Sequence, residues 1–109
     1  MATFDDREKG FEGKFAHDQE MAFKAKARRD KLIARWLAPQ LQLSQAETEE
    51  YGKSLASHAY EKNHEDALVK RIMADSAAKG VQMTEHLLRK HLDELLEEAR
   101  KQITGETKS

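Results

Sequence analysis

A single proline, Pro39, stands in a chain of 109 residues. After residue 18, Ala, Leu, Lys, Glu and Gln dominate and β-branched residues are scarce. The dominant side chains lose little rotamer freedom in a helix, so the intrinsic preference of this stretch is helical throughout. The sequence therefore predicts an all-α protein, and its length allows one modest core and one domain. No apolar run exceeds three residues, as at Trp36, Leu37 and Ala38, whereas a membrane-spanning helix needs roughly 20. No direct membrane insertion is expected.

Caps and apolar stripes divide the helical stretch into four. A first helix can start at Asp18, with Met21, Ala25, Leu32 and Trp36 recurring at spacings of 4, 7 and 4 on its inward face. Pro39 should end or kink it, because proline donates no N–H and clashes with the preceding turn. Ser44 and Glu47 read as a capping box opening a second helix with Tyr51, Leu55 and Ala59 on one stripe. Asn63 can cap a third, with Leu68, Val69, Ile72 and Met73 inward and Gly80 just past its end. Thr84 caps the last, Met83 can staple onto Leu88, and Leu88, Leu92, Leu95, Ala99 and Ile103 form a long stripe. Each stripe covers one side only, and the connections are short, so the expected architecture is a four-helix bundle over residues 18–109.

Residues 1–17 break the pattern. Phe4, Phe11 and Phe15 stand in a charged stretch interrupted by Gly10 and Gly13, and glycine costs about 1 kcal/mol relative to alanine inside a helix. A mobile N-terminal segment is expected ahead of the bundle. On a helical wheel the three phenylalanines share one narrow face, with Ala22 continuing it. That is how a segment folding into a partner's groove presents its anchors. The same rings could equally pack back on the bundle as an N-terminal arm, and both readings stay open.

The sequence offers none of the usual catalytic or metal-binding constellations. The chain has no cysteine, so there is no disulfide framework or thiolate metal site, and with no apolar leader a reducing cytoplasm is expected. Of the five histidines, His86 and His91 are five apart and face different ways, and His64 and Glu65 lack the second histidine of a helical zinc-protease motif. Gly10 to Lys14 has glycines too closely spaced for a phosphate loop and no Ser or Thr after the lysine. Ser54 and His58 sit one turn apart, but no orienting carboxylate accompanies them. The chain is therefore expected to be no enzyme and to need no cofactor or metal.

Charge is nearly balanced, 19 basic against 20 acidic residues, so no global field steers nucleic acid. The one local excess is Lys24, Lys26, Arg28, Arg29 and Lys31, interrupted only by Asp30. It reads either as the solvated side of the first helix or as a patch for an acidic protein surface or nucleotide phosphates.

Several blocks carry a resemblance that periodicity does not supply. They are Phe4-Asp-Asp-Arg-Glu-Lys9, Phe11-Glu-Gly-Lys-Phe-Ala-His-Asp18 and Ala27-Arg-Arg-Asp-Lys-Leu32 followed by Trp36. Further along come Asp75, Ala78-Lys-Gly-Val81 and Asp93-Glu-Leu-Leu96. Together they resemble the zeta subunit family, the F1-ATPase inhibitors of alphaproteobacterial F-type ATP synthases, over essentially the whole chain. Pro39 and the Gln40-Leu-Gln-Leu43 stretch depart from the Trp-Ala-Ala-Glu-like run usual after the tryptophan.

The resemblance implies a four-helix bundle preceded by an inhibitory segment, peripheral to the inner membrane through F1. It implies F1-ATPase α, β and γ subunits as partners, with residues 1 to about 17 entering a catalytic α/β interface near γ and blocking hydrolytic rotation. Phe4, Phe11 and Phe15 would fill apolar pockets while Asp5, Asp6, Arg7, Glu8, Lys9 and Lys14 meet polar walls. Lys24, Arg28 and Arg29 would rest on the enzyme's surface. The alternatives are a nucleotide- or nucleic-acid-responsive module using the basic cluster, or a non-inhibitory assembly factor for the same complex.

Overall fold

The computed structural model describes the side chains of residues 19–105. The side-chain expectations for residues 1–18, the shared face of Phe4, Phe11 and Phe15 and the cap at Asp18, lie outside the described residues, but the helix expected to start at Asp18 starts at Ala2. Four α-helices follow one another in chain order: α1 Ala2–Leu41, α2 Gln45–Ala56, α3 His64–Ala78 and α4 Glu85–Lys108. No strand occurs among the described residues. α1 is the shared element, packed along both α2 and α4, and α3 lies against α4.

Local chemistry explains the breaks. At α2 the Ser44 hydroxyl accepts from the Glu47 N–H at 3.1 Å while the Glu47 carboxylate accepts from the Ser44 N–H at 2.9 Å, a complete capping box. At α4 the Thr84 hydroxyl accepts from the Leu87 N–H at 3.1 Å, and Met83 packs onto the cluster that holds Leu88. α3 closes with Gly80 at φ 73°, where the Val81 N–H reaches the Ser76 carbonyl at 2.8 Å and the Gly80 N–H reaches that of Ala77 at 3.0 Å. This paired closure needs a left-handed residue, which glycine supplies without a Cβ penalty. Asn63 takes the N-cap position of α3, but its side chain makes no capping hydrogen bond.

Two further expectations for α1 are corrected. The helix continues past Pro39 to Leu41 and breaks at Gln42, whose φ of 56° lets the Leu43 N–H bond the Ala38 carbonyl at 2.9 Å. Pro39 and Arg35 are both exposed, so the carbonyl that proline leaves without a donor lies on the solvent side of the helix and not in a dry core, where its loss would cost more. The inward face is also shifted by one residue. Ile33, Leu37 and Leu41 are buried with Ala25 and Ala34, whereas Met21, Leu32 and Trp36 are only half-buried. A helix gripped from two sides buries a broad stripe, and its centre runs along 33, 37 and 41. Trp36 lies at the rim, its ring centroid 4.1 Å from that of His91.

The remaining stripes hold. Leu55 and Ala59, then Leu68, Val69 and Ile72, then Leu88, Leu92, Ala99 and Ile103 are buried, with Tyr51, Met73 and Leu95 packed at the margin. Gly52 lets α2 approach α1 closely, since a Cβ there would stand 3.3 Å from the Lys31 Cα.

Candidate docking surface and the buried network beneath it

The basic run of α1 does not form one face. Lys24, Lys26 and Lys31 are exposed, and Lys24 pairs with Glu20 at 3.2 Å. Arg28 is half-buried and donates from Nη1 to Gln102 Oε1 of α4 at 3.0 Å. Arg29 is 2% exposed, which corrects its placement on the solvated side of the helix. It shares the inward stripe with Ala25 and Ile33, so its guanidinium turns into the protein.

Its counter-charge is Asp30, fully buried beside it. The Asp30 Oδ1 accepts from Arg29 Nε at 3.1 Å, and Oδ2 lies 2.5 Å from His64 Nε2 at the start of α3. Arg29 Nη1 lies 3.6 Å from Glu65, which in turn lies 3.5 Å from Arg89 of α4. Arg89 also reaches Asp66 at 3.1 Å and Glu85 at 3.0 Å. One chain of charges thus ties α1, α3 and α4 together. Burial pushes the Asp30 carboxyl above the usual carboxylate range, and the neighbouring Arg29 and the His64 hydrogen bond oppose that shift without cancelling it. Arg29 Nη2 has no hydrogen-bond partner.

Sequence reasoning missed this network. Asp30 read as an interruption in a run of cations, although its position between Ala25 and Ile33 on the inward face was a usable signal. The pairing with His64, 34 residues away, had none.

Other polar neighbours have ordinary partners. Arg71 Nη1 donates to Ser54 Oγ at 2.7 Å and lies over the Tyr51 ring, and the Tyr51 hydroxyl donates to Asp75 at 2.7 Å. His58 contacts Glu61 at 2.7 Å. Among the described residues, Ser54 and His58 make no hydrogen bond to each other, no group of three or more His, Cys, Asp or Glu could hold a metal ion, and no helix is long and apolar enough to cross a membrane. Phe4, Asp5, Asp6, Arg7, Glu8, Lys9, Phe11, Lys14 and Phe15 lie outside the described residues.

The arrangement is that of a small helical bundle whose inner charges serve to hold its helices together. Residues 1–102 match the family model for ATPase inhibitor subunit zeta. The chain belongs to that family, which gives it an inhibitory role toward ATP synthase and F1-ATPase as its partner. A comparison with curated proteins found no match.

Proposed function

We propose that residues 1–17 enter a catalytic interface between an α and a β subunit of F1, near γ, and stop rotation in the hydrolytic direction. The observation that carries this reading is the extent of the family match, which begins at residue 1 and takes in the phenylalanine-rich block as well as the bundle. Three phenylalanines on one helical face among charges suit a segment that docks into a partner's groove. In the crevice the segment is helical, so that Phe4, Phe11 and Phe15 seat in apolar pockets and the intervening charges fix the register. The protein acts as a pawl that binds and blocks.

The test is hydrolysis by F1 from the same source, titrated with the intact chain and with a version lacking residues 1–17, with the melting temperature of each measured alongside. Inhibition by the intact chain and none by a truncation that melts normally is the expected result. Equal inhibition by both would move the active surface to the bundle. Binding of the intact chain without any change in hydrolysis would favour the assembly-factor reading.

A further inference from the structure

Two of the aromatic side chains described, Trp36 and Tyr51, pack against the core, whereas Phe23 and Tyr60 face water. Phe23 is 40% exposed and Tyr60 72% exposed. They come from different elements, α1 and the turn between α2 and α3, yet their ring centroids stand 6.4 Å apart with the planes tilted by 41°. Both rings keep exposed apolar surface in the free chain, and aromatic side chains contribute strongly when a partner covers them. Beside the rings, Glu20 pairs with Lys24 and Glu61 lies 2.7 Å from His58, and the charges left without such a partner are lysines. Lys26 lies three residues past Phe23 on the same helix, where side chains are neighbours, and Lys62 lies two residues past Tyr60. Both lysines are exposed and neither has an ion-pair partner among the described residues, in contrast to Lys24 with its Glu20.

We infer that Phe23 and Tyr60 form a second contact with F1, on the outer surface beside the crevice, where they meet an apolar patch rimmed by acidic side chains. This rests on the insertion reading above, and the geometry follows from it. If residues 1–17 are helical in the crevice, Phe23 lies eight residues beyond Phe15, about 12 Å further along at the rise of a helix. The surface flanking the crevice mouth is then within reach of the ring pair, and Lys26 and Lys62 supply the charge complement. The contact fixes the bundle against the enzyme and slows its departure.

The experiment compares four full-length chains for inhibition of F1 hydrolysis: wild type, Phe23→Ser with Tyr60→Ser, Lys26→Glu with Lys62→Glu, and Phe4, Phe11 and Phe15 all changed to Ala. Dissociation rates and melting temperatures are measured for each, and wild type and the serine pair are also sedimented alone. The serine pair should raise the half-inhibitory concentration on the order of tenfold, mainly through faster dissociation, with an unchanged melting temperature. The glutamate pair should weaken inhibition at low salt and recover as salt is raised. If the serine pair inhibits like wild type while the triple alanine chain does not, the second contact is refuted and insertion stands. If the triple alanine chain inhibits like wild type, insertion fails whatever the serine pair does. Should the serine pair lower the melting temperature, the glutamate pair decides, and its full inhibition at low salt refutes the contact. A wild-type dimer that the serine pair dissolves without loss of inhibition would assign the rings to a second copy of the chain and overturn the proposal.

Discussion

His64 Nε2 stands 2.5 Å from Asp30 Oδ2, so the first residue of α3 is tied to the middle of α1 through a carboxylate with no exposed surface. Arg29 and His64 share that carboxylate, and the connection onward through Glu65 to Arg89 reaches α4. Leu68, Val69 and Ile72 of α3 share one buried cluster with Ile33, Leu37 and Leu41 of α1, and the polar link fixes the start of α3 beside that apolar packing.

Removing one member of such a network should be costly. Asp30→Ala leaves the Arg29 guanidinium buried without its counter-charge, and an uncompensated buried charge typically costs about 3–5 kcal/mol. Replacing all three together, Arg29→Met, Asp30→Leu and His64→Leu, removes the buried part of the network at once, leaves Glu65 paired with Arg89, and should leave stability near wild type or above it. Urea denaturation of both variants checks this. A triple variant as unstable as Asp30→Ala would show that the network contributes more than charge balance.

The capping box makes a pH prediction. The Ser44 N–H and hydroxyl hold the Glu47 carboxyl below its ordinary value of 4.5, with Lys79 adding a smaller pull. The folded value lies below the unfolded one, so the stabilisation is fully present above about pH 4.5 and is lost as pH falls through the lowered folded value. The start of α2 should therefore fray on acidification below the usual carboxylate range, read as falling protection of the Ser44 and Glu47 amides relative to their intrinsic exchange rates at each pH. Glu47→Gln keeps part of the box without the titration, and the protection of these two amides should not change over the same range.

Burial ranks the core substitutions. Leu37 and Leu92 have no exposed surface, so changing either to alanine should cost about 2–5 kcal/mol through lost transfer and a cavity. Leu32 and Trp36, on the neighbouring stripe, are half-buried. Leu32→Ala should cost about 1 kcal/mol, and Trp36→Ala less than a fully buried aromatic, mostly through its contact with His91. Thermal melts of the four variants give the order, and a larger loss at position 32 than at position 37 would contradict the observed inward face.

These features differ in how readable they were, for a physical reason. The capping box at Ser44 and Glu47, the Thr84 cap and the Gly80 closure each depend on a few consecutive residues, so the sequence carries them whole. The stripe of α4 was legible because that helix has one apolar side. α1 meets two helices, and the choice between the 32/36 and 33/37 rows depends on where those neighbours lie. The burial of Arg29 and Asp30 was hidden for the same reason, since charged residues enter a core only when a distant partner such as His64 receives them. Pro39 placed the end of α1 two residues early, because a proline on the exposed side of a helix can be followed by a last turn before the break at Gln42.

The last prediction separates charge from apolar docking within residues 1–17. If the phenylalanines anchor the segment and the acidic side chains set its register at the polar walls of the crevice, the two kinds of substitution should respond differently to salt. Changing Phe4, Phe11 and Phe15 to alanine removes buried rings, each worth about 1.5–3 kcal/mol on docking, and inhibition should fall steeply at every ionic strength. Reversing Asp5 and Asp6 to lysine should weaken inhibition moderately, slow association more than it speeds dissociation, and give a salt dependence opposite in sense to that of wild type. Half-inhibitory concentrations of the three chains from low to high salt, on one preparation of F1, provide the comparison. A charge-reversed chain as impaired as the alanine chain at all salt concentrations would mean that Asp5 and Asp6 make desolvated contacts deep in the crevice, because only exposed charges are screened away as ionic strength rises.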